Sequence, residues 1–307
     1  MGKIILFYKY VSIEYPKQIL KWQHKICTDL GLKGRILLAP EGINATLGGS
    51  IENTERYKQI MNNNILFNNI DWKESVGDAD DFPRLQITVK PTIVNLGIDP
   101  EKLTPAQGGR HLNPQEVHDL LSLKNENLVI LDTRNDYEYA IGRFTDAINP
   151  DIKNFREFPE YIDKNIDMFK GKEVLMYCTG GVRCERATAY LKEKNVAKEV
   201  YQIQGGIHRY VEQFPDGYFR GKNYVFDKRL ALKVNDDVLS DCFICHEPCD
   251  SYINCINSLC HVQIISCASC QKEYNFTCGR DCQALVAQAA VPIRPGFGQT
   301  YADRKIV

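Results

Sequence analysis

The chain has 307 residues, 44% of them hydrophobic and 25% charged, with a formal net charge of -1. At roughly 100–200 residues per domain this length holds two or three domains, and the balanced charge excludes a chain-wide electrostatic footprint for nucleic acid or membrane while leaving a local basic face open. No apolar run reaches the ~18 residues of a spanning helix. The run Ile4-Ile5-Leu6-Phe7-Tyr8 is short and lacks a small-residue cleavage site after it, so it reads as a first strand and the expected location is cytoplasmic.

Residues 1–98 read as an α+β unit. A strand at Lys3–Val11 precedes a helical pattern at 14–30, where Ile19, Leu20, Trp22, Ile26, Cys27 and Leu30 recur at helical spacing. Strands follow at Arg35–Ala39 and Ile43–Leu47 around the turn Pro40-Glu41-Gly42, then a helix at Ile51–Met61 with Ser50 as its cap, then strands at Asp71–Val76 and Arg84–Val89. The order is that of the split βαβ, ferredoxin-like (acylphosphatase-like) arrangement. Residues 99–112, with Asp99-Pro100, Thr104-Pro105 and Gly108-Gly109, read as a linker.

From 113 to 218 short apolar strands alternate with helices, which predicts a parallel α/β sheet covered on both faces. Asn113-Pro114-Gln115-Glu116 opens a helix, with Asn as cap and Pro at the first helical position. Strands are expected at Leu128–Asp132, Val174–Tyr177 and Val200–Ile203, and helices at the start of 136–140, over 158–169, over an amphipathic 184–194, and after Gly205-Gly206. The stretch 218–234 is a basic connector in which Tyr218, Phe219, Tyr224 and Phe226 interleave with Arg220, Lys222, Lys228, Arg229 and Lys233. A cysteine-rich region and a polar tail to Val307 complete the fourth segment, 219–307.

The chemistry concentrates where the strand 174–177 ends. Cys178 follows the strand directly, then Thr179, Gly180, Gly181 and Val182, then Arg183 and a helix. In an open α/β sheet, ligands gather at the carboxyl ends of strands. Two glycines let the loop curl so that its N–H groups form an anion-binding nest at a helix N-terminus. The guanidinium of Arg183 and the helix dipole both favour thiolate over thiol at Cys178. The gap of four residues between Cys178 and Arg183 is one shorter than in cysteine phosphatases and fits a sulfur-sized anion. Cys184, just past the loop, is placed either to resolve an oxidised or persulfidated Cys178 by thiol attack, or simply to open the helix with a small side chain.

Leu128-Val129-Ile130-Leu131-Asp132-Thr133-Arg134, Tyr137-Glu138-Tyr139 and Gly142, with Met176-Tyr177-Cys178, Gly181, Arg183, Ala187 and Gly205-Gly206, resemble a rhodanese domain. That resemblance implies a persulfide-bearing Cys178. Asp132 and Arg134, at the end of the first strand of that domain, read as a helix-cap and ion pair ordering the rim in preference to a direct part in catalysis. The longer string Tyr177-Cys178-Thr179-Gly180-Gly181-Val182-Arg183-Cys184-Glu185, with Ala39-Pro40-Glu41-Gly42-Ile43-Asn44 and Gly221-Lys222-Asn223-Tyr224-Val225-Phe226-Asp227, is similar to the bacterial tRNA uridine hydroxylases. This implies oxygen-dependent hydroxylation of the wobble uridine at carbon 5, with molecular oxygen as co-substrate and tRNA as partner. The chain has no nicotinamide fingerprint, no flavin glycine motif and no clear two-histidine, one-carboxylate iron site. The loop taken alone supports a sulfurtransferase carrying a Cys178 persulfide. The expected tRNA contacts are the Ala39–Gly49 loop and the connector cations Lys222, Lys228 and Arg229.

Of the 12 cysteines, nine fall between Cys242 and Cys282. Cys242, Cys245, Cys249, Cys255, Cys260, Cys267, Cys270, Cys278 and Cys282 have the spacing of structural zinc ligands. The pairs Cys242/Cys245 and Cys267/Cys270 start 25 residues apart, long for a single ribbon, and His246 and His261 add two more possible ligands. Spacing alone leaves the division into sites open.

Overall fold

The structure is a computed structural model and describes residues 2–294. Met1 and the end of the polar tail, 295–307, lie outside the described residues.

The first unit comprises β1 (Gly2–Tyr10), α1 (Pro16–Asp29), β2 (Lys33–Ala39), β3 (Gly42–Ser50), α2 (Ile51–Asn62), β4 (Lys73–Val76) and β5 (Leu85–Val89). Its sheet order, β4-β1-β3-β2-β5, is ferredoxin-like with β5 added parallel to β2 at one edge. Alternation along β1 sends Ile5 and Phe7 into a core with Ile36, Leu38, Leu47 and the helix residues Ile26, Cys27, Tyr57 and Met61. Each such fully buried large side chain contributes about 1.5–3 kcal/mol. Ser50 caps α2 as expected, its hydroxyl accepting from Asn53 N at 3.1 Å. The segment Ala39–Gly49, expected as a loop, is a hairpin turn followed by most of β3, which pairs on both sides.

The supposed linker is partly structure. It ends in β6 (Arg110–Leu112), followed by α3 (Pro114–Ser122), β7 (Leu128–Asp132), α4 (Asp136–Ile141), β8 (Gly142–Phe144), α5 (Phe158–Lys164), β9 (Glu173–Tyr177), α6 (Val182–Glu193), β10 (Glu199–Ile203) and α7 (Gly206–Gln213). The parallel sheet runs β6-β10-β9-β7. After Glu173, β9 is apolar because it is buried on both faces: Val174, Met176 and the following Cys178 join one core, Leu175 and Tyr177 the other. α3 carries a reciprocal cap, with Asn113 Oδ1 accepting from Glu116 N at 3.0 Å and Glu116 Oε2 accepting from Asn113 N at 2.8 Å.

Helix α6 departs from the amphipathic expectation. Residues Arg183 through Leu191 are all buried, because the helix lies between the sheet, the first unit and the linker. Its polar groups find partners there. Gly109 N donates to Thr188 Oγ1 at 2.8 Å, and Arg186, fully buried, bonds Glu41 Oε2 at 3.2 Å and the Ile98 and Leu103 carbonyls. The Pro40-Glu41-Gly42 turn is thus a joint between units.

The connector forms β11 (Phe219–Tyr224), which pairs with β8 and with β12 (Ala231–Lys233). The cysteine-rich region adds the hairpin β13 (Tyr252–Asn254) and β14 (Gln263–Ile265), then α8 (Ala268–Glu273) and α9 (Arg280–Ala287). Among the described residues no helix is long and apolar enough to cross a membrane.

Candidate active site and metal centres

Cys178 leaves β9 at the carboxyl edge of the sheet and is fully buried. Gly181 N donates to its Sγ at 3.1 Å. The loop is fixed from outside by the start of α7, where Ile207 N donates to Cys178 O at 2.9 Å and His208 N to Thr179 O at 3.2 Å. Gly206 makes this approach possible. It sits at φ +67, and a Cβ there would stand 2.5 Å from Cys178 O and 2.8 Å from Gly181 N, both backbone atoms. Burial opposes ionisation of Cys178. The Cys184 thiol beside it, the charge of Arg183 and the backbone N–H groups of Cys184 and Arg183 outweigh burial and hold its pKa down to about 5. Cys184 is equally buried, 3.6 Å from Thr133 Oγ1, and burial and the neighbouring Cys178 push its own thiol well above the usual range. The loop therefore pairs one thiolate with one protonated thiol.

Arg183 does this from a position the sequence did not reveal. Its guanidinium is forked onto Glu138, at 2.6 Å to Oε2 and 2.7 Å to Oε1, and reaches Thr179 Oγ1 at 3.3 Å. Glu138 is fully buried, and although burial opposes its charge, Arg183 and Arg134 keep its carboxyl below the usual range. In the sequence Glu138 stood only within the rhodanese-like string Tyr137-Glu138-Tyr139, with no role; in the structure it caps α4 through Asn135 and also turns its carboxylate toward the loop. Asp132 and Arg134 form the rim pair as read from sequence: Arg134 Nη2 bonds Asp132 Oδ2 at 2.7 Å and Gly142 O at 2.5 Å, with both side chains buried.

The first unit caps the loop. Tyr8 O–H donates to Glu185 Oε1 at 2.8 Å, and Glu185 also holds His111 Nε2 at 3.0 Å and Gln202 Nε2 at 3.1 Å. β1, β6, β10 and α6 meet at this one carboxylate. Beside it opens a cleft of about 520 Å³, lined by Tyr8, Tyr10, Lys73, His111, Glu185 and Gln204 among others. The meeting of Tyr8, His111 and Glu185 went unread in the sequence because Tyr8 and Glu185 are 177 residues apart and only docking joins them.

The connector cations are engaged within the chain. Lys222 bonds Asp250 at 2.8 Å. Arg229 is forked onto Asp227 and also donates to Ser75 Oγ at 2.8 Å and Val76 O at 2.7 Å. Lys228 reaches the Asp80 carbonyl at 2.6 Å from an exposed position. These bonds latch the connector to β4 and to the turn after it. Of its aromatic rings Phe226, 61% exposed, faces outward, whereas Phe219 and Tyr224 are buried.

The cysteine-rich region divides into two sets of four thiols, Cys242/Cys245/Cys267/Cys270 and Cys255/Cys260/Cys278/Cys282, each with its sulfurs within 4.8 Å of one another. The two distant CxxC pairs thus close into one site. Sulfur separations of 3.7 Å (Cys245–Cys267), 3.5 Å (Cys260–Cys278) and 3.7 Å (Cys278–Cys282) are far beyond a disulfide bond. They match the ~3.8 Å edge of a tetrahedron with ~2.3 Å metal–thiolate bonds. Both sets can hold a tetrahedral metal ion. Cys249 belongs to neither; its Sγ accepts from Ser251 N at 3.5 Å. His246 and His261 also stand outside the sets, in turns with φ of 63° and 55°.

Three family models match the chain: the UPF0176 acylphosphatase like domain at residues 2–93, the Rhodanese-like domain at 113–213 and the Rhodanase C-terminal at 220–283. A tRNA uridine(34) hydroxylase of Bacillus licheniformis is 38% identical over 290 residues, 92% of this chain and 88% of that one. Its counterpart in Aster yellows witches'-broom phytoplasma is 38% identical over 286 residues, 92% of each chain. A rhodanese-like domain from Anabaena sp. is similar in structure at 16% identity, with a TM-score of 0.30 over 36% of this chain and 78% of that one. With more than a third of positions identical along nine-tenths of its length, this chain belongs to the family of the tRNA uridine(34) hydroxylases.

Proposed function

We propose that this protein hydroxylates the wobble uridine of tRNA at carbon 5, using molecular oxygen, with Cys178 at the reacting centre and the cytoplasm as its place of work. The observation that carries this reading is the thiolate-favouring Cys178 loop, capped by the first unit beside a nucleotide-sized cleft, in a chain whose relatives bear that name along almost their full length. One atom of the oxygen molecule becomes the 5-hydroxyl and the other passes to the Cys178 thiolate, which is oxidised by two electrons to the sulfenate. Glu138 holds Arg183 in place, and the charge of Arg183 steadies the Cys178 thiolate. Cys184 resolves an oxidised or persulfidated Cys178: its proton and one from solvent pass to the adduct, its sulfur attacks the Cys178 sulfur, water (from the sulfenate) or hydrogen sulfide (from a persulfide) leaves, and the Cys178–Cys184 disulfide is reduced by an external dithiol. The two thiol sets of the C-terminal region hold structural zinc, two ions per chain.

Nucleoside mass spectrometry of tRNA from cells lacking the gene, complemented with the wild type or with Cys178→Ala, tests the reading. The expected result is 5-hydroxyuridine and its derivatives restored by the wild type and reduced to background with Cys178→Ala. Full hydroxylation with the alanine variant would remove Cys178 from the reaction. Unchanged nucleosides in the deletion strain, with sulfane-sulfur transfer by the purified protein, would make it a sulfurtransferase.

A further inference from the structure

Two openings lie along β1 near the Cys178 loop, with Lys73 in the wall of both. The first, bounded by Leu6, Thr179, His208 and Phe226, holds about 30 Å³, room for little more than a water molecule. The second is the cleft of about 520 Å³ between the first unit and the parallel sheet, within the roughly 300–1,000 Å³ range of small-molecule sites. Size alone sends a nucleotide to the second.

Its wall presents hydrogen-bonding groups of fixed polarity. Lys73 is 1% exposed, pairs with Asp71 at 2.8 Å and lies 4.9 Å from the centre of the Tyr8 ring. An ammonium carries three donors and no acceptor. Across that ring, Glu185 offers only acceptors, three of whose contacts are already made to Tyr8, His111 and Gln202. A carboxylate has about four lone-pair sites, so one remains. The Gln204 side chain is exposed at the mouth, with no partner among the described residues. Tyr10 adds an aromatic ring to the same wall.

The Watson–Crick edge of uracil runs acceptor, donor, acceptor. We propose that this cleft is the uracil-reading site: Lys73 donates to O4, Glu185 accepts from N3–H, Gln204 donates to O2, and Tyr10 packs on the extruded base. Cytosine presents an amino group to Lys73 and a lone pair to Glu185, so both fixed contacts turn repulsive. The assignment rests on the tRNA reading above and extends it from the thiolate to the base.

The test uses the full-length protein and anticodon stem–loop RNAs that differ only in U or C at the wobble position. The wild type should bind the U form at least about tenfold more tightly, because a site built for one edge leaves its polar groups unpaired against the other. Lys73→Gln, whose carboxamide can turn either way, should collapse that preference toward unity; Gln204→Ala, at an exposed position that cannot unfold the chain, should weaken U binding several-fold. With 4-thiouridine at the wobble position, photo-crosslinks should map to 8–10, 69–73 or 204–205. Equal binding of both RNAs by the wild type, or crosslinks confined to the connector at 224–229, would overturn the assignment. If hydroxylation in cells still depends on Cys178 when either result is obtained, the cleft assignment fails alone; if Cys178→Ala hydroxylates fully, the catalytic reading fails whatever the cleft binds.

Discussion

Sulfur is used in two opposite ways at the two ends of this molecule. Cys178 is ionised by the protein itself: it is fully buried, receives a backbone N–H, and lies beside an arginine that a buried glutamate holds in place. The eight clustered thiols of the C-terminal region also draw on backbone N–H groups, Cys267 N donating to Cys242 Sγ at 3.4 Å, but each set crowds its sulfurs against one another in place of a buried arginine–glutamate pair. They are held at coordination distance from one another, partly exposed, around a centre that only an added cation can fill. A reactive thiolate needs fixed dipoles and one open side; a structural thiolate needs a counter-ion and none. The first arrangement keeps its charge without metal, and the second depends on it.

Metal removal should separate the two most sharply. Binding of a structural zinc to a small domain amounts to about 10 kcal/mol or more of folding free energy. Chelation should therefore unfold the C-terminal region, read as rapid proteolysis beyond residue 240 and two zinc ions released per chain by elemental analysis, and Cys242→Ser should lose the one ion of its own set. The first unit and the parallel sheet should persist. Protease resistance unchanged after chelation would mean that the thiols do not depend on metal.

Within the loop, Glu138→Gln should leave Arg183 as a poorly compensated buried charge and cost about 3–5 kcal/mol in urea unfolding. A cost below 1 kcal/mol would show that water reaches Arg183. The pH response follows from the depressed Cys178 pKa. Its thiolate contributes stability in full above the unfolded thiol value of about 8.5 and loses it as pH falls through about 5. The ultraviolet thiolate absorbance that separates wild type from Cys178→Ala should therefore have its midpoint near pH 5. A midpoint in the ordinary thiol range would place the loop's dipoles elsewhere.

The smallest effect belongs to the connector. Lys228 is exposed and bonds a single carbonyl, so Lys228→Glu should change stability by about 1 kcal/mol or less, while lowering the salt slope of tRNA binding by about one. Arg229→Glu would not be a clean test of docking, because Arg229 holds Asp227, Ser75 and Val76 together.

Local pattern carried a good part of this. Strand, cysteine, paired glycines, arginine and helix are contiguous, so Cys178 and its loop were legible, as was the buried Asp132–Arg134 pair two residues apart. The first unit's alternating β1 and its capped α2 were equally plain. What stayed hidden was whatever docking creates. Glu138 has no role in its string until the loop is folded over it, and Tyr8, His111 and Glu185 come from three segments that meet only through tertiary packing. β6 is three residues long, too short for any periodicity, and the prolines and glycines before it read as a linker. The division of thiols into two sets also depended on the fold, since each set joins cysteines from both halves of the region.

The first glycine of the loop's pair, Gly180, is constrained by more than the anion nest. Gly180 does not adopt a left-handed backbone, so nothing in its own conformation demands glycine. A Cβ there would stand 2.9 Å from the Leu6 methyl on β1. Position 180 is therefore shaped by a neighbour in another domain: shortening Leu6 would make room for alanine at 180, and a rhodanese-type domain inherited without this partner would be free to drift there.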